Sequence, residues 1–237
     1  MKTERMMRAI PVFVVSLCVG LTITIAQSAS TRLTQQAGPA AATPSRIAQA
    51  LREGGLKAAA RLVGDYKAAE DVHSRFVRDL PALAKRSPLI VFGRFSDNVC
   101  KLSADGQSIR TEYHFTVQRV FRGQVQPDDI ISVQVVGGRV EFPDEGTSAE
   151  IFTPNFVRPM NGTTILLFLR DSDGDGVWAP TDGPQGMFQI DPQGIVKTYG
   201  RDFDRVTAFN NRPKAELMDA VEQTASANAF DPRLCCP

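Results

Sequence analysis

A segment running from Asp171 to Asp182 has the residue types and the spacing of a calcium-binding loop. Asp recurs at alternate positions, Gly stands at the sixth position and a carboxylate at the twelfth, as in loops that surround Ca²⁺ with roughly six to eight oxygens. The predicted ligands are the side chains of Asp171, Asp173, Asp175 and Asp182 and the backbone carbonyl of Val177. Calcium is therefore the one cofactor that the sequence suggests.

Two features of this segment depart from the usual calcium loop. Its twelfth residue is Asp rather than the longer Glu, and an apolar strand at 165–169, not a helix, precedes it. The alternative interpretation is a solvated hairpin loop in which Asp and Gly are simply good turn formers. If calcium binds, we expect it to rigidify the loop rather than to act as a signal.

Three cysteines remain once the N-terminal segment described below is removed: Cys100, Cys235 and Cys236. In an oxidising compartment this odd number predicts one disulfide, between Cys100 and either Cys235 or Cys236, with one thiol left over. Adjacent cysteines rarely bond to each other. A thiol metal site is not expected, because the chain has no Cys-x-x-Cys pair and no nearby His.

The sequence offers no recognisable catalytic set. His73 lies in helical sequence and His114 on the polar face of an alternating strand, and there is no Gly-x-Ser-x-Gly motif. The acidic pairs 128–129 and 144–145 stand in predicted turns. Carboxylates that converged in a cleft could still serve a hydrolase, so that function is the alternative to a non-enzymatic one.

Residues 1–30 have the three parts of a secretory signal. Basic residues open it, an uncharged apolar run follows at 9–26, and Ala26-Gln27-Ser28 supplies the small residues of a cleavage site. The apolar run reaches the lower end of the length that an uncleaved membrane anchor needs, but Pro11 and the small-residue exit favour cleavage. A lipoprotein signal is excluded because Leu17 precedes Cys18. We therefore expect a secreted or periplasmic protein.

Removal of the signal leaves a chain without a basic surplus. Three of the 27 Lys and Arg residues and one of the 26 Asp and Glu residues lie in residues 1–30, which gives the mature chain a net charge of −1. We therefore expect no nucleic-acid partner, and no membrane span after cleavage.

Helical patterns occupy the first part of the mature chain. Residues 31–45 have the composition of a flexible linker, and residues 46–86 are predicted to form a helical arm, broken at Gly54-Gly55 and helical from Leu56 to about Phe76. Such an arm either packs on the following domain or binds a partner.

Strand patterns follow at 87–200. The strands are predicted at 89–95, 111–121, 131–135, 140–142, 163–169, 187–190 and 195–197. Residues 201–237 are predicted to form a C-terminal helix, from Pro213 to about Thr224, and a cysteine-containing tail. The predicted fold class is mainly β: a small antiparallel barrel or sandwich with an N-terminal helical arm and a C-terminal helix.

The order of these strands resembles a known family. The motifs VFGRF, TEYHFTVQRVFRG and NGTTILLFL resemble the netrin-like, OB-type barrel found in tissue inhibitors of metalloproteinases and in exported bacterial proteins. The resemblance implies a small closed barrel. It does not imply protease inhibition, because those inhibitors present a cysteine at the mature N-terminus and residues 29–40 contain none.

The function expected from the sequence is an exported, non-enzymatic binding or structural module. Its partner would be another protein in the cell envelope or outside the cell. The alternative is a secreted hydrolase that uses convergent acidic residues, with calcium bound near Asp171.

Overall fold

The computed structural model describes residues 43–70, 79–154, 156–172, 176–199 and 206–234. The predicted signal at 1–30 and nearly all of the predicted linker lie outside the described residues. The helices are α1 (Pro44–Val63), α2 (Leu80–Lys85) and α3 (Lys214–Ala227). The strands are β1 (Asp65–Ala69), β2 (Leu89–Leu102), β3 (Ile109–Arg122), β4 (Ile130–Val136), β5 (Gly138–Phe142), β6 (Thr147–Phe152), β7 (Thr164–Asp171), β8 (Trp178–Pro180), β9 (Met187–Ile190) and β10 (Val196–Thr198).

Among the residues that the structure describes, strand residues outnumber helical residues, 41% against 30%. This confirms the predicted mainly β fold with a helix near each end. Seven strands form one sheet in the order β10-β9-β7-β2-β3-β4-β8, and β1, β6 and β5 form a second sheet.

The large sheet is buried on both faces at its centre. Odd-numbered residues of β2 and β7, such as Val91 and Leu167, join a core with Tyr113 and Phe115 of β3. Even-numbered residues, such as Phe92 and Phe168, face a second core that α2 and α3 cover. Burial on both faces explains why β7 reads as a continuous apolar run rather than as an alternating strand.

Strand β8 contacts two strands at once. It pairs antiparallel with β7, and it pairs parallel with β4 through the single residue pair Val133–Trp178. The Ser172 N–H donates to the Val177 carbonyl at 2.9 Å, and the Thr181 N–H donates to the Phe168 carbonyl at 2.8 Å. Because backbone direction alternates along a strand, Trp178 and Pro180 then direct their backbone groups toward β4.

Pro180 limits this second pairing. Proline has no backbone N–H, so it cannot continue a ladder that Trp178 has begun. The parallel strands β4 and β8 therefore pair once and then diverge.

The small sheet lies where the sequence predicted part of the helical arm. Strand β1 pairs in parallel with β6, and β5 pairs antiparallel with β6. The prediction of helix from Leu56 to about Phe76 differs from the structure, because α1 ends at Val63. The next residue, Gly64, has φ +86° and donates its N–H to the Ala60 carbonyl at 2.7 Å. Glycine adopts a positive φ readily, so the chain can leave the helix here. Strand β6 was not predicted at all.

The predicted break in α1 is present. Gly55 has φ +66°, and the next residue, Leu56, donates its N–H to the carbonyl of Gly106 at 2.8 Å. A Cβ at Gly55 would lie 2.4 Å from the same carbonyl oxygen, so this close approach requires glycine. The kink thereby attaches α1 to the turn between β2 and β3.

A group of charges holds α1 to the short turn between β5 and β6. The Arg61 guanidinium donates to both carboxylate oxygens of Glu145, at 2.7 and 2.5 Å, and the Lys57 ammonium lies 3.1 Å from one of them. The Glu145 side chain is only 15% exposed. The hydrogen bonds from Arg61 are the main reason that the pKa of Glu145 falls from 4.5 to about 2.

Glu145→Gln is expected to destabilise the protein near neutral pH and to matter less in acid. A carboxyl whose pKa is lowered by folding stabilises the folded state above its unfolded pKa, and this contribution disappears as the pH falls from 4.5 toward about 2. The measurement is the urea midpoint of both proteins between pH 7 and pH 2, with Glu216→Gln on the exposed face of α3 as control. A difference between wild type and Glu145→Gln that stays constant over this range would contradict the assignment.

Candidate functional site

A cavity of about 90 Å³ opens where β4 and β8 diverge. We call it the seam pocket. Its walls include residues 134–136 of β4, Ala179 and Pro180 of β8, Arg110, Arg170, and a wall formed by Thr153 and Phe156. The pocket starts directly after the pair Val133–Trp178. It lies there because Pro180 has no N–H with which to continue the pairing of β8 with β4.

Two arginines flank the seam pocket from opposite sides. Arg110 of β3 lies beside Val136 of β4, and Arg170 of β7 lies beside Ala179 of β8. Within the described ranges neither guanidinium has an ion-pair or hydrogen-bond partner. Asp105 attracts Arg110 electrostatically, but its carboxylate already accepts hydrogen bonds from Ser103 and Gln107, which are the main reasons that its pKa is lowered.

The loop between β6 and β7 supplies a third wall. Phe156 stacks at an angle on Tyr199 with ring centres 5.3 Å apart, and the Tyr113 hydroxyl donates to the Pro159 carbonyl at 3.0 Å. These contacts fix the loop against the core. The Thr153 hydroxyl in this wall is buried and has no hydrogen-bond partner among the described residues. A buried hydroxyl without a partner costs about 1–3 kcal/mol.

The remaining walls of the seam pocket are mostly apolar. They include Val135, Pro184 and Met187. Of the described residues that line it, none is acidic. The arrangement can therefore bind an anionic group beside an apolar surface.

The predicted calcium loop borders this pocket. Ser172, which lies within the loop, also lines the pocket, and Asp171 ends β7 at an exposed position. Asp173 and Asp175 lie outside the described residues, so the five predicted ligands are not all placed. Val177 accepts the Ser172 N–H through its carbonyl. The calcium site stays a prediction.

Asp182, the predicted last ligand, has a second role. Its carboxylate lies 2.8 Å from the Arg86 guanidinium and is only 5% exposed. This ion pair joins the segment after β8 to the residue that follows α2. Any calcium ion would therefore share Asp182 with Arg86.

The predicted disulfide involves residues that the structure describes only in part. Cys100 is partly buried, with its sulfur 3.4 Å from the Thr111 hydroxyl oxygen, while Cys235 and Cys236 lie outside the described residues. The preceding residue, Leu234, accepts a hydrogen bond from Arg86, which stands just before β2, whereas Cys100 is near the far end of that strand. The bridge stays a prediction.

The remaining candidates for catalysis lie apart from the seam pocket lining. His114 is exposed, with Nδ1 2.7 Å from a carboxylate oxygen of Asp97, and His73 lies outside the described residues. The Asp129 carboxylate accepts the Gln126 N–H at 2.7 Å within the β3–β4 turn. Glu145 binds Arg61 as described above. Each of these placed acids thus has a structural contact of its own.

No protein-family model matches the chain, and no curated protein matches it. Among the described helices, none combines the length and the apolar character needed to cross a bilayer.

Sequence reasoning missed the seam pocket. Arg110 and Arg170 are far apart along the chain, and their spacing does not indicate that they line the same pocket. Strand β8 was not predicted either, so the only local signal was Pro180, a residue that cannot donate to a strand ladder. Only the pairing of β8 with β7 and β4 in the structure shows that the interrupted ladder is the one with β4.

The calcium prediction is tested by the melting temperature of the purified protein in excess Ca²⁺ and in EGTA. If the loop binds, calcium at about 100 times its dissociation constant adds about 2.7 kcal/mol to the free energy of unfolding. Asp173→Ala should abolish the increase and Asp219→Ala, at an exposed position of α3, should not. Identical melting curves in calcium and EGTA would leave the segment a hairpin loop.

Proposed function

We propose that this protein is an exported, non-enzymatic binding module and that the seam pocket is its recognition site. One observation carries the proposal: the pocket combines apolar walls with two arginines that form no close ion pair or hydrogen bond in the described part of the chain. A concave, mostly apolar site with a few convergent polar groups is the usual form of a binding site.

The scaffold of this module is proposed to be a small OB-type barrel. Support comes from the ring of pairings β7-β2-β3-β4-β8-β7, in which β8 contacts both ends of a four-strand series. The resemblance of the strand order to netrin-like domains supports the same conclusion. In such a barrel the seam pocket would lie where the ring closes with a single residue pair.

The compartment and the partner are part of the same proposal. The signal pattern of residues 1–30 supports export to the periplasm or the exterior, and the mature net charge of −1 favours neither nucleic acid nor an acidic membrane surface as the partner. We propose a protein partner in the envelope or outside the cell. The hydrolase alternative has less support, because the described lining of the pocket contains no acid.

Filling the pocket should abolish partner capture. Ala179 lines the pocket and is partly buried, so Ala179→Leu adds volume where a ligand would sit. Ala220→Leu places the same change at a partly buried position of α3. Tagged wild type and both variants are incubated with envelope extract, and proteins retained by each are compared after confirming equal melting temperatures.

We expect a protein that wild type and Ala220→Leu retain and that Ala179→Leu loses by about tenfold or more, the effect of about 1.4 kcal/mol. Retention of the same proteins by all three chains would contradict recognition through the seam pocket. Retention of none would contradict the binding function itself.

A further inference from the structure

The charged side chains in the described lining of the seam pocket are all positive. Arg110 and Arg170 approach it from two different hairpins, and no described lining residue is acidic. Guanidinium groups are permanently charged and present paired N–H donors that match the two oxygens of a carboxylate. Apolar walls beside them weaken competition from water and strengthen the attraction.

Thr153 adds an independent observation. Its hydroxyl is buried in the pocket wall without a hydrogen-bond partner among the described residues. Buried polar groups are nearly always satisfied, so this hydroxyl, on a residue that lines the pocket, is a candidate donor to a bound group. A carboxylate held by the arginines has lone pairs to spare for this donor.

The size of the pocket limits the rest of the ligand. Its volume of about 90 Å³ is below the ~150 Å³ of a cavity that accommodates benzene. The part of a ligand that enters the pocket is therefore small, of the size of a short branched aliphatic chain. Val135, Pro184 and Met187 supply the apolar surface that such a chain would cover.

We infer that the seam pocket binds a short aliphatic carboxylate, with Arg110 and Arg170 holding the carboxylate, Thr153 donating to it and the apolar walls covering the chain. This inference rests on the proposed binding function and names its ligand class. Two kinds of ligand carry such a carboxylate and chain: a free short-chain acid, and a partner polypeptide whose C-terminal residue has an aliphatic side chain.

Trp178 provides a direct readout of occupancy. It is the only tryptophan of the chain, and it immediately precedes the pocket residue Ala179. Its fluorescence is followed while the purified protein is titrated with isovalerate, with the neutral isovaleramide, and with inorganic phosphate. The peptide Gly-Gly-Leu and its C-terminal amide form the second arm.

Isovalerate is expected to bind with about millimolar or tighter affinity, the range open to so small a ligand, and isovaleramide and phosphate at least about tenfold more weakly. Tighter binding of Gly-Gly-Leu than of isovalerate, lost on amidation, would assign the site to a polypeptide C-terminus. Binding of isovalerate alone would assign it to a free acid. Both results support the carboxylate assignment.

Matched variants separate the roles of the side chains. Arg170→Gln and Arg110→Gln should each weaken isovalerate at least about tenfold and leave isovaleramide unchanged, while Arg52→Gln on the exposed part of α1 changes neither. Thr153→Val should weaken isovalerate several-fold. Thr147→Val removes another buried hydroxyl that lacks a described partner, outside the described pocket lining, and should have no effect on binding.

Equal binding of isovalerate and isovaleramide would overturn the carboxylate assignment and leave the proposed binding function intact. Absence of binding by every probe would also overturn it. In that case loss of partner capture in Ala179→Leu would still support the seam pocket as a recognition site, whereas unchanged capture would remove both proposals.

Discussion

Strand β8 has only three residues and pairs with two strands, β7 and β4. Its backbone hydrogen bonds with β7 leave Trp178 and Pro180 directed toward β4, and only Trp178 has an N–H to give. The strand therefore joins β4 at a single pair, Val133–Trp178, before the two strands separate. This one constraint joins the two ends of a four-strand series and at the same time opens a cavity at the junction.

The surrounding elements turn that opening into a chemically defined site. The two hairpins on either side each contribute an arginine, and the loop after β6 closes the third side because Tyr113 and Tyr199 hold it against the core. The described pocket lining includes no residue of α1 or of the small sheet. Helix α1 is instead held by the close approach at Gly55 and by the ion pair with Glu145. Rigid strands thus position the arginines, and a fixed loop positions the orphaned hydroxyl of Thr153.

Much of the fold could be predicted from the sequence because buried strands have a recognisable pattern of apolar residues. The alternation of Tyr113, Phe115 and Val117 and the unbroken apolar run of β7 gave the central strands correctly. Strands β1 and β6 have no such pattern, because they are short and of mixed composition. They also pair with each other across a long stretch of chain. The seam pocket was equally hidden, since it depends on register between β4 and β8 and not on any local motif.

The exchange rate of the Trp178 amide tests the central claim most directly. This N–H points away from β7, so only pairing with β4 can protect it. Measured by NMR, it should exchange far more slowly than the exposed amide of Ala104 in the β2–β3 turn, and at a rate comparable to amides within β7. A Trp178 amide that exchanges as fast as that of Ala104 would contradict the β4–β8 pairing and, with it, the position of the seam pocket.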